Sequence, residues 1–150
     1  MLTIPTKGRY SIRILARIAS HQRNNTNNGR IIRKKEISKE EDISEDYAEQ
    51  ILMRLKAAGF IESRRGPTGG FTLAKPADSI SVLDILQAME GNVAIAPCAD
   101  DPCDRYSSCA VKKVWLSAQQ AIVKVFKNTT IADIANENDK INSKASDYTI

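Results

Sequence analysis

Cys98, Cys103 and Cys109 are the only cysteines in a chain of 150 residues, and they fall in one stretch with the spacing C-x4-C-x5-C. An odd number of thiols confined to positions 98 to 109 is not the disulfide framework of a small secreted domain. Zinc sites usually show a tight pair two to four residues apart and then a second pair or a histidine, and this stretch has neither. Three thiolates in a loop beside a helix start can instead hold three of the four protein positions of a [2Fe-2S] cluster, because iron in such clusters is suited to soft sulfur ligands. A thiol redox switch and a different metal remain open on the same residues. For a fourth ligand the chain offers its single histidine, His21, whose other reading is a surface or capping role. It also offers the nearby carboxylates Asp100, Asp101 and Asp104, a backbone group or a small exogenous ligand.

A second kind of chemistry lies upstream, where Arg64 and Arg65 adjoin Gly66-Pro67-Thr68-Gly69-Gly70. The chain carries 22 Lys and Arg against 18 Asp and Glu, a net charge of +4 that hides an asymmetry. Residues 1–75 hold 15 cationic and 8 acidic side chains, a balance of +7, while residues 76–150 hold 7 and 10, a balance of −3. The first half has the charge of a polyanion binder and the second does not. With 42% hydrophobic and 27% charged residues, disorder is excluded over most of the chain. No run approaches the roughly 18 apolar residues of a membrane span, and Met1 to Arg9 lacks the apolar core of a signal peptide, so a soluble cytoplasmic protein without membrane contact is expected. There is no nucleophile–base pair and no phosphate loop, which argues against an enzyme.

These residues need elements to position them. Thr6 to about Arg23 reads as a helix, with Tyr10, Ile14, Leu15 and Ile18 at helical spacing and Arg9, Arg13 and Arg17 on another side. The polar run Asn24 to Gly29 should be a flexible loop. A short second helix is predicted from Arg33 to Glu41. Ser44 then caps a third helix, whose stripe of Tyr47, Ala48, Ile51, Leu52, Leu55 and Ala58 is apolar and whose outward face is Asp46, Glu49, Gln50 and Met53. Gly59 stands where a left-handed cap would end it. Residues 60–65 and 71–73 form two short strands about the Gly/Pro-rich turn. Three helices and a basic hairpin are the order of a winged helix-turn-helix, in which the third helix enters the major groove and the hairpin reaches the flanking backbone or minor groove. Ser81 to Glu90 reads as a fourth helix with Ser81 and Asp84 at capping-box spacing. From about Ser108 to Lys127 a long helix carries Val111, Val114, Trp115, Ala118, Ile122, Val125 and Phe126, more apolar ridge than a domain of this size covers from one side. A homodimer burying that ridge is the economical reading, with a core helix packed in its own chain as the other. Thr130 to Ala135 makes a short capped helix, and the segment from Asn136 to Ile150 has the composition of a loose tail.

Three pieces of this chain together resemble the Rrf-two family of bacterial transcription regulators, whose iron-sulfur members include IscR-like and NsrR-like proteins. They are Thr6-Lys7-Gly8-Arg9-Tyr10, the segment from Ile43-Ser44 through Tyr47, Glu49 and Gln50 to Arg54-Leu55, and Arg65-Gly66-Pro67-Thr68-Gly69-Gly70-Phe71. The resemblance covers about residues 2–136. It implies a dimer that binds palindromic operator DNA, with the long helix as the interface. It places Ser44, Tyr47, Glu49 and Gln50 at or beside the major groove, Glu49 as an acceptor for a cytosine amino group. It places Arg65, with Arg64 beside it, on the wing at the minor groove, and Lys7, Arg9 and Tyr10 near phosphates. It also matches the three-cysteine loop to a cluster loop. The chain departs from the pattern at several positions. Lys35 stands where a small residue is usual, Asp42 where a glycine is usual and Asp46 where a serine is. IscR-like proteins have a histidine three residues after the third cysteine, and here that residue is the cation Lys112. NsrR-like proteins use an aspartate at a position that here is Arg9.

The expected architecture is therefore mainly α with a small β-hairpin wing: a winged helix-turn-helix over residues 1–75, a cysteine loop and dimerisation helix over 76–136 and a flexible tail over 137–150. The expected function is that of a homodimeric DNA-binding regulator sensing redox state, nitric oxide or iron-sulfur supply through a [2Fe-2S] cluster on Cys98, Cys103 and Cys109. The same regulator with a thiol switch and no cluster is the alternative, and an iron-sulfur carrier is the more distant one.

Overall fold

A computed structural model describes residues 3–25, 31–101 and 103–147. The loop expected over 24–29 lies outside the described residues except for its first two positions. Helix α1 (Thr6–Asn24) is the central strut. Ile14, Leu15 and Ile18 on it are fully buried, as their helical spacing requires. Helices α2 (Lys34–Glu41) and α3 (Glu45–Ala57) follow, then strands β1 (Ile61–Arg64) and β2 (Gly70–Leu73). The strands pair antiparallel with Ile61 opposite Leu73 and Arg64 opposite Gly70. The hairpin is fastened to the head through Ile32, which exchanges two backbone hydrogen bonds with Phe71 of 3.1 and 2.8 Å.

The turn between α2 and α3 and the end of α3 follow from local backbone chemistry. Asp42 takes φ +52°, a left-handed conformation that aspartate tolerates better than most residues but glycine adopts without cost. At the end of α3, Gly59 has φ +77°; its N–H donates to Lys56 O, and the Phe60 N–H donates to Leu55 O, each at 3.0 Å. That is the paired bonding of a Schellman cap, with Leu55 and Phe60 both buried beneath it.

A 3-10 turn (Ala77–Ser79) leads to α4 (Val82–Glu90), whose Ser81 and Asp84 form the expected reciprocal cap. A four-residue helix, α5 (Pro97–Asp100), was not expected and carries Cys98. The long helix α6 runs Lys112–Asn128, starting later than expected. Three successive turn bonds, Tyr106 N–H to Cys103 O, Ser108 N–H to Arg105 O and Lys112 N–H to Cys109 O, use up the segment before it. Helix α7 (Ile131–Asp147) corrects the expectation of a loose tail from residue 137. Thr130 and Asp133 cap its start, and Ile131 and Ala135 are buried. The Arg23 side chain then holds Asn136 and Asp139, so a nucleated helix is extended at little further cost. Residues 148–150 lie outside the described residues.

Helices from both sides of residue 75 share one core, in which Ile14, Leu15, Ile51, Leu52 and Leu55 join Ile85, Met89, Ile131 and Ala135. Helix α6 is different. It lies against α4 and α5, yet none of its residues is buried. No helix among the described residues is long and apolar enough to cross a membrane.

Candidate nucleic-acid interface and cysteine loop

The outward face of α3 is set by its buried one. With Ala48, Ile51, Leu52 and Leu55 in the core, Asp46, Glu49, Gln50 and Met53 are exposed. Ser44 caps the helix by accepting the Tyr47 N–H at 3.1 Å. Tyr47 is half-buried and meets the ring of Tyr10 edge-on at 5.8 Å, and the Arg13 guanidinium lies 4.9 Å from the Tyr10 centroid. The two tyrosines thus join α1 to α3, so packing accounts for a large part of what they do here.

Glu49 is not a bare carboxylate. Lys34, at the start of α2, places its Nζ 2.6 Å from Glu49 Oε2. The hydrogen bond to Glu49, aided by the charges of Glu49, Glu45 and Asp46, holds the Lys34 pKa above its ordinary value, so a positive charge stands beside three acids of α3. A second bracket comes from Arg33, whose Nη2 donates to Pro67 O at 2.7 Å and ties the tip of the hairpin to α2. Arg64 ends β1 and Arg65 begins the turn; both are exposed.

Behind this surface, α1 is pinned to α2 by a buried acid. Glu41 is 3% exposed; Arg17 Nε lies 3.1 Å from its Oε1, and Arg13 Nε lies 2.7 Å from its Oε2 as an ion pair off the hydrogen-bonding direction. At the front end of α1, Arg9 is exposed and donates to Thr6 Oγ1 at 3.2 Å. The Gly8 N–H donates to Glu90 Oε1 at 2.8 Å, and Lys7 Nζ is 3.6 Å from Glu90 Oε2. Gly8 permits this approach, since a Cβ there would stand 2.9 Å from Leu86 Cδ2. Glu90 is the last residue of α4, so the start of α1 is bonded to the root of the cysteine loop.

That loop is strapped to α6 by Gln119, whose Oε1 accepts the Ile95 N–H at 2.9 Å and whose Nε2 donates to Val93 O. Asn92 donates to Asp100 Oδ1 at 2.6 Å, and the Lys112 ammonium sits 4.1 Å above the Tyr106 ring. Cys98 and Cys109 are half-buried, Cys103 is exposed, and all three are free thiols. Their donor type and order suit three positions of an iron-sulfur cluster. Among the described residues, however, no group of three or more His, Cys, Asp or Glu side chains is gathered closely enough to hold a metal. His21 sits near the far end of α1, about 20 Å along the axis from Gly8 and the root of the loop. Its own carbonyl closes that helix end, accepting the Asn25 N–H at 3.1 Å and Asn25 Nδ2 at 3.0 Å.

Lys34, Arg33, Glu90 and Gln119 were not predicted as site residues. Each acts through a partner far along the chain, Gly8 and Glu90 being 82 residues apart, and no spacing rule connects such pairs.

The helix-turn-helix, the basic hairpin and the exposed polar face of α3 beside α2 define a winged-helix transcription regulator. The comparisons agree. The Rrf2 family model, described as an iron-dependent transcriptional regulator, matches residues 4–137, and the chain belongs to that family. It is 40% identical over 92 residues to the HTH-type transcriptional regulator IscR of Cereibacter sphaeroides, a match covering 61% of this chain and 57% of that relative. It is 30% identical over 139 residues to the regulator CymR of Bacillus subtilis, covering 92% of this chain and 93% of that one. The solved structure of CymR, titled the global cysteine regulator of B. subtilis, superposes with a TM-score of 0.76 at 29% identity over 91% of this chain and 98% of that one. The structure of T. potens IscR does so with 0.71 at 28% identity, covering 91% and 88%. These relatives are named as regulators, not as enzymes.

Proposed function

We propose that the chain works in the cytoplasm as a homodimeric, operator-binding regulator whose 98–109 loop is its sensing element, with Cys98, Cys103 and Cys109 as three ligands of a [2Fe-2S] cluster. In this reading α3 lies in the major groove with Ser44, Tyr47, Glu49 and Gln50 at or beside the bases, Arg64 and Arg65 follow the flanking minor groove, and Lys7, Arg9 and Tyr10 lie near phosphates. The position of the loop supports a sensing role. It joins α4, whose Glu90 grips the start of α1 and pairs with Lys7, to α6, a long helix with no buried residue. A change in the loop can therefore act on a phosphate-facing residue and on the pairing helix together. A bound cluster would supply iron that responds to oxidants or nitric oxide; the chain's part is to hold it and transmit its state. The family's description as iron-dependent supports this reading.

The dimer rests on α6. Val114 and Val125 are 58% and 60% exposed, and Trp115 is 41% exposed, on a helix with a continuous apolar stripe. A second copy laying the same stripe against it buries both.

A second reading keeps operator binding and makes the cysteines a thiol switch without iron. The three free thiols support it, as does the likeness to CymR of Staphylococcus aureus, solved in an oxidized form. Anaerobic purification followed by visible absorbance and iron and sulfide analysis separates the two. Coloured protein with two irons and two sulfides per chain is expected. Colourless, iron-free protein that reconstitution does not load leaves the thiol switch.

A further inference from the structure

Of the large apolar side chains exposed among the described residues, all but one lie at Ile4 or from Val111 onward, outside the helices and hairpin of the DNA-reading head. The exception is Met53, 60% exposed on α3. It stands four residues after Glu49 and three after Gln50, on the same outward stripe, with exposed Arg54 next to it. Charged and amide groups around one thioether do not make an apolar patch of the size that docks a protein. They suit a polar groove that offers one apolar group at a time. In the major groove that group is the C5-methyl of thymine, and an unbranched, polarisable side chain adjusts well to a small apolar target.

We infer that Met53 is a base-reading residue whose side chain packs on the C5-methyl of an operator thymine. The inference rests on α3 being the major-groove helix. Four residues of helix rise about 6 Å against 3.4 Å per base pair, so this thymine lies within about two base pairs of the base that Glu49 reads. Gln50 and Glu49 read hydrogen-bonding groups, and Met53 adds a readout that needs none.

The test uses the full chain and a randomised duplex library. Duplexes retained by the wild-type protein are sequenced, and the preferred one is remade with deoxyuridine at each thymine in turn, which removes the methyl and keeps the base pair. One such change per half-site is expected to weaken wild-type binding roughly four-fold, the worth of one buried methyl-sized group, and to leave Met53→Ala unaffected. The sensitive position should fall within about two base pairs of the one where Glu49→Ala relaxes the selected sequence. Met53 is exposed and alanine is a strong helix former, so the variant folds as the parent does. Equal responses of wild type and Met53→Ala at every deoxyuridine overturn the inference while operator binding stands. If the wild-type chain selects no duplex and binds none in a salt-dependent way, the groove assignment of α3 falls and the inference falls with it.

Discussion

Helices α3 and α6 are both amphipathic, and the molecule treats their apolar stripes in opposite ways. On α3, Ile51, Leu52 and Leu55 are at most 1% exposed, covered by α1, α2 and the hairpin. On α6 no residue is buried, and Val114 and Val125 are more than half exposed. The stripe alone says only that a face must be covered; what covers it is decided by the neighbours. Where the chain supplies the cover, as at α3, only the polar face is left exposed. Where it does not, as at α6, the apolar face stays open, and the proposed dimer would cover it.

Charge on α6 should therefore cause the largest change. Val114→Asp with Val125→Asp is expected to give monomers in analytical ultracentrifugation. Operator affinity should drop at least about 100-fold, because two half-sites would no longer be bound as one. A dimer that persists, with unchanged affinity, would break the contrast between the helices. Removing cover from α3 acts on stability instead. Leu55→Ala should cost about 3 kcal/mol of unfolding free energy, read in urea denaturation, by opening a cavity under the Phe60 cap. Altering the polar face of α3 should do neither. Glu49→Ala is expected to keep fold and dimer but to lose about 1–3 kcal/mol of discrimination at one base position in competition binding. The smallest effect is at α7. The Thr130 backbone N–H and hydroxyl hold the Asp133 carboxyl below its ordinary pKa, so the unfolded chain binds this proton more readily than the folded one. That contribution to stability is present above the usual carboxylate pKa and is lost as pH falls through the lowered value. A carboxylate carbon titration by NMR should show it, and Thr130→Val, which removes the hydroxyl but keeps the backbone N–H, should move it part of the way back up.

The contrast also explains how much could be read from the chain. Helices α1, α3, α4 and α6 follow from apolar periodicity, and Ser44, Ser81 and Gly59 mark their ends through local backbone bonds, all within a few residues. The hairpin was legible from its glycines and proline. What was not legible depends on distant partners. Helix α7 beyond residue 136 is polar in composition, and Arg23, more than a hundred residues earlier, holds it at Asn136 and Asp139. Glu49 was legible as a candidate on the outward face of α3, but not its partner Lys34 on the preceding helix. The three thiols were legible as a set, whereas Gln119 and Glu90, which anchor their loop to α6 and α1, were not.

In the proposed mechanism the 98–109 loop, between α4 and α6, governs operator binding. The most direct test is an anaerobic titration of one selected operator duplex by the same preparation before and after the cysteine loop is changed in state, by loading and removing iron and sulfide or by oxidising and reducing the thiols. Affinities that differ by at least about ten-fold are expected, the coupling of a working switch. Equal affinity in every state would contradict the mechanism and leave a DNA-binding protein whose cysteines do not govern binding.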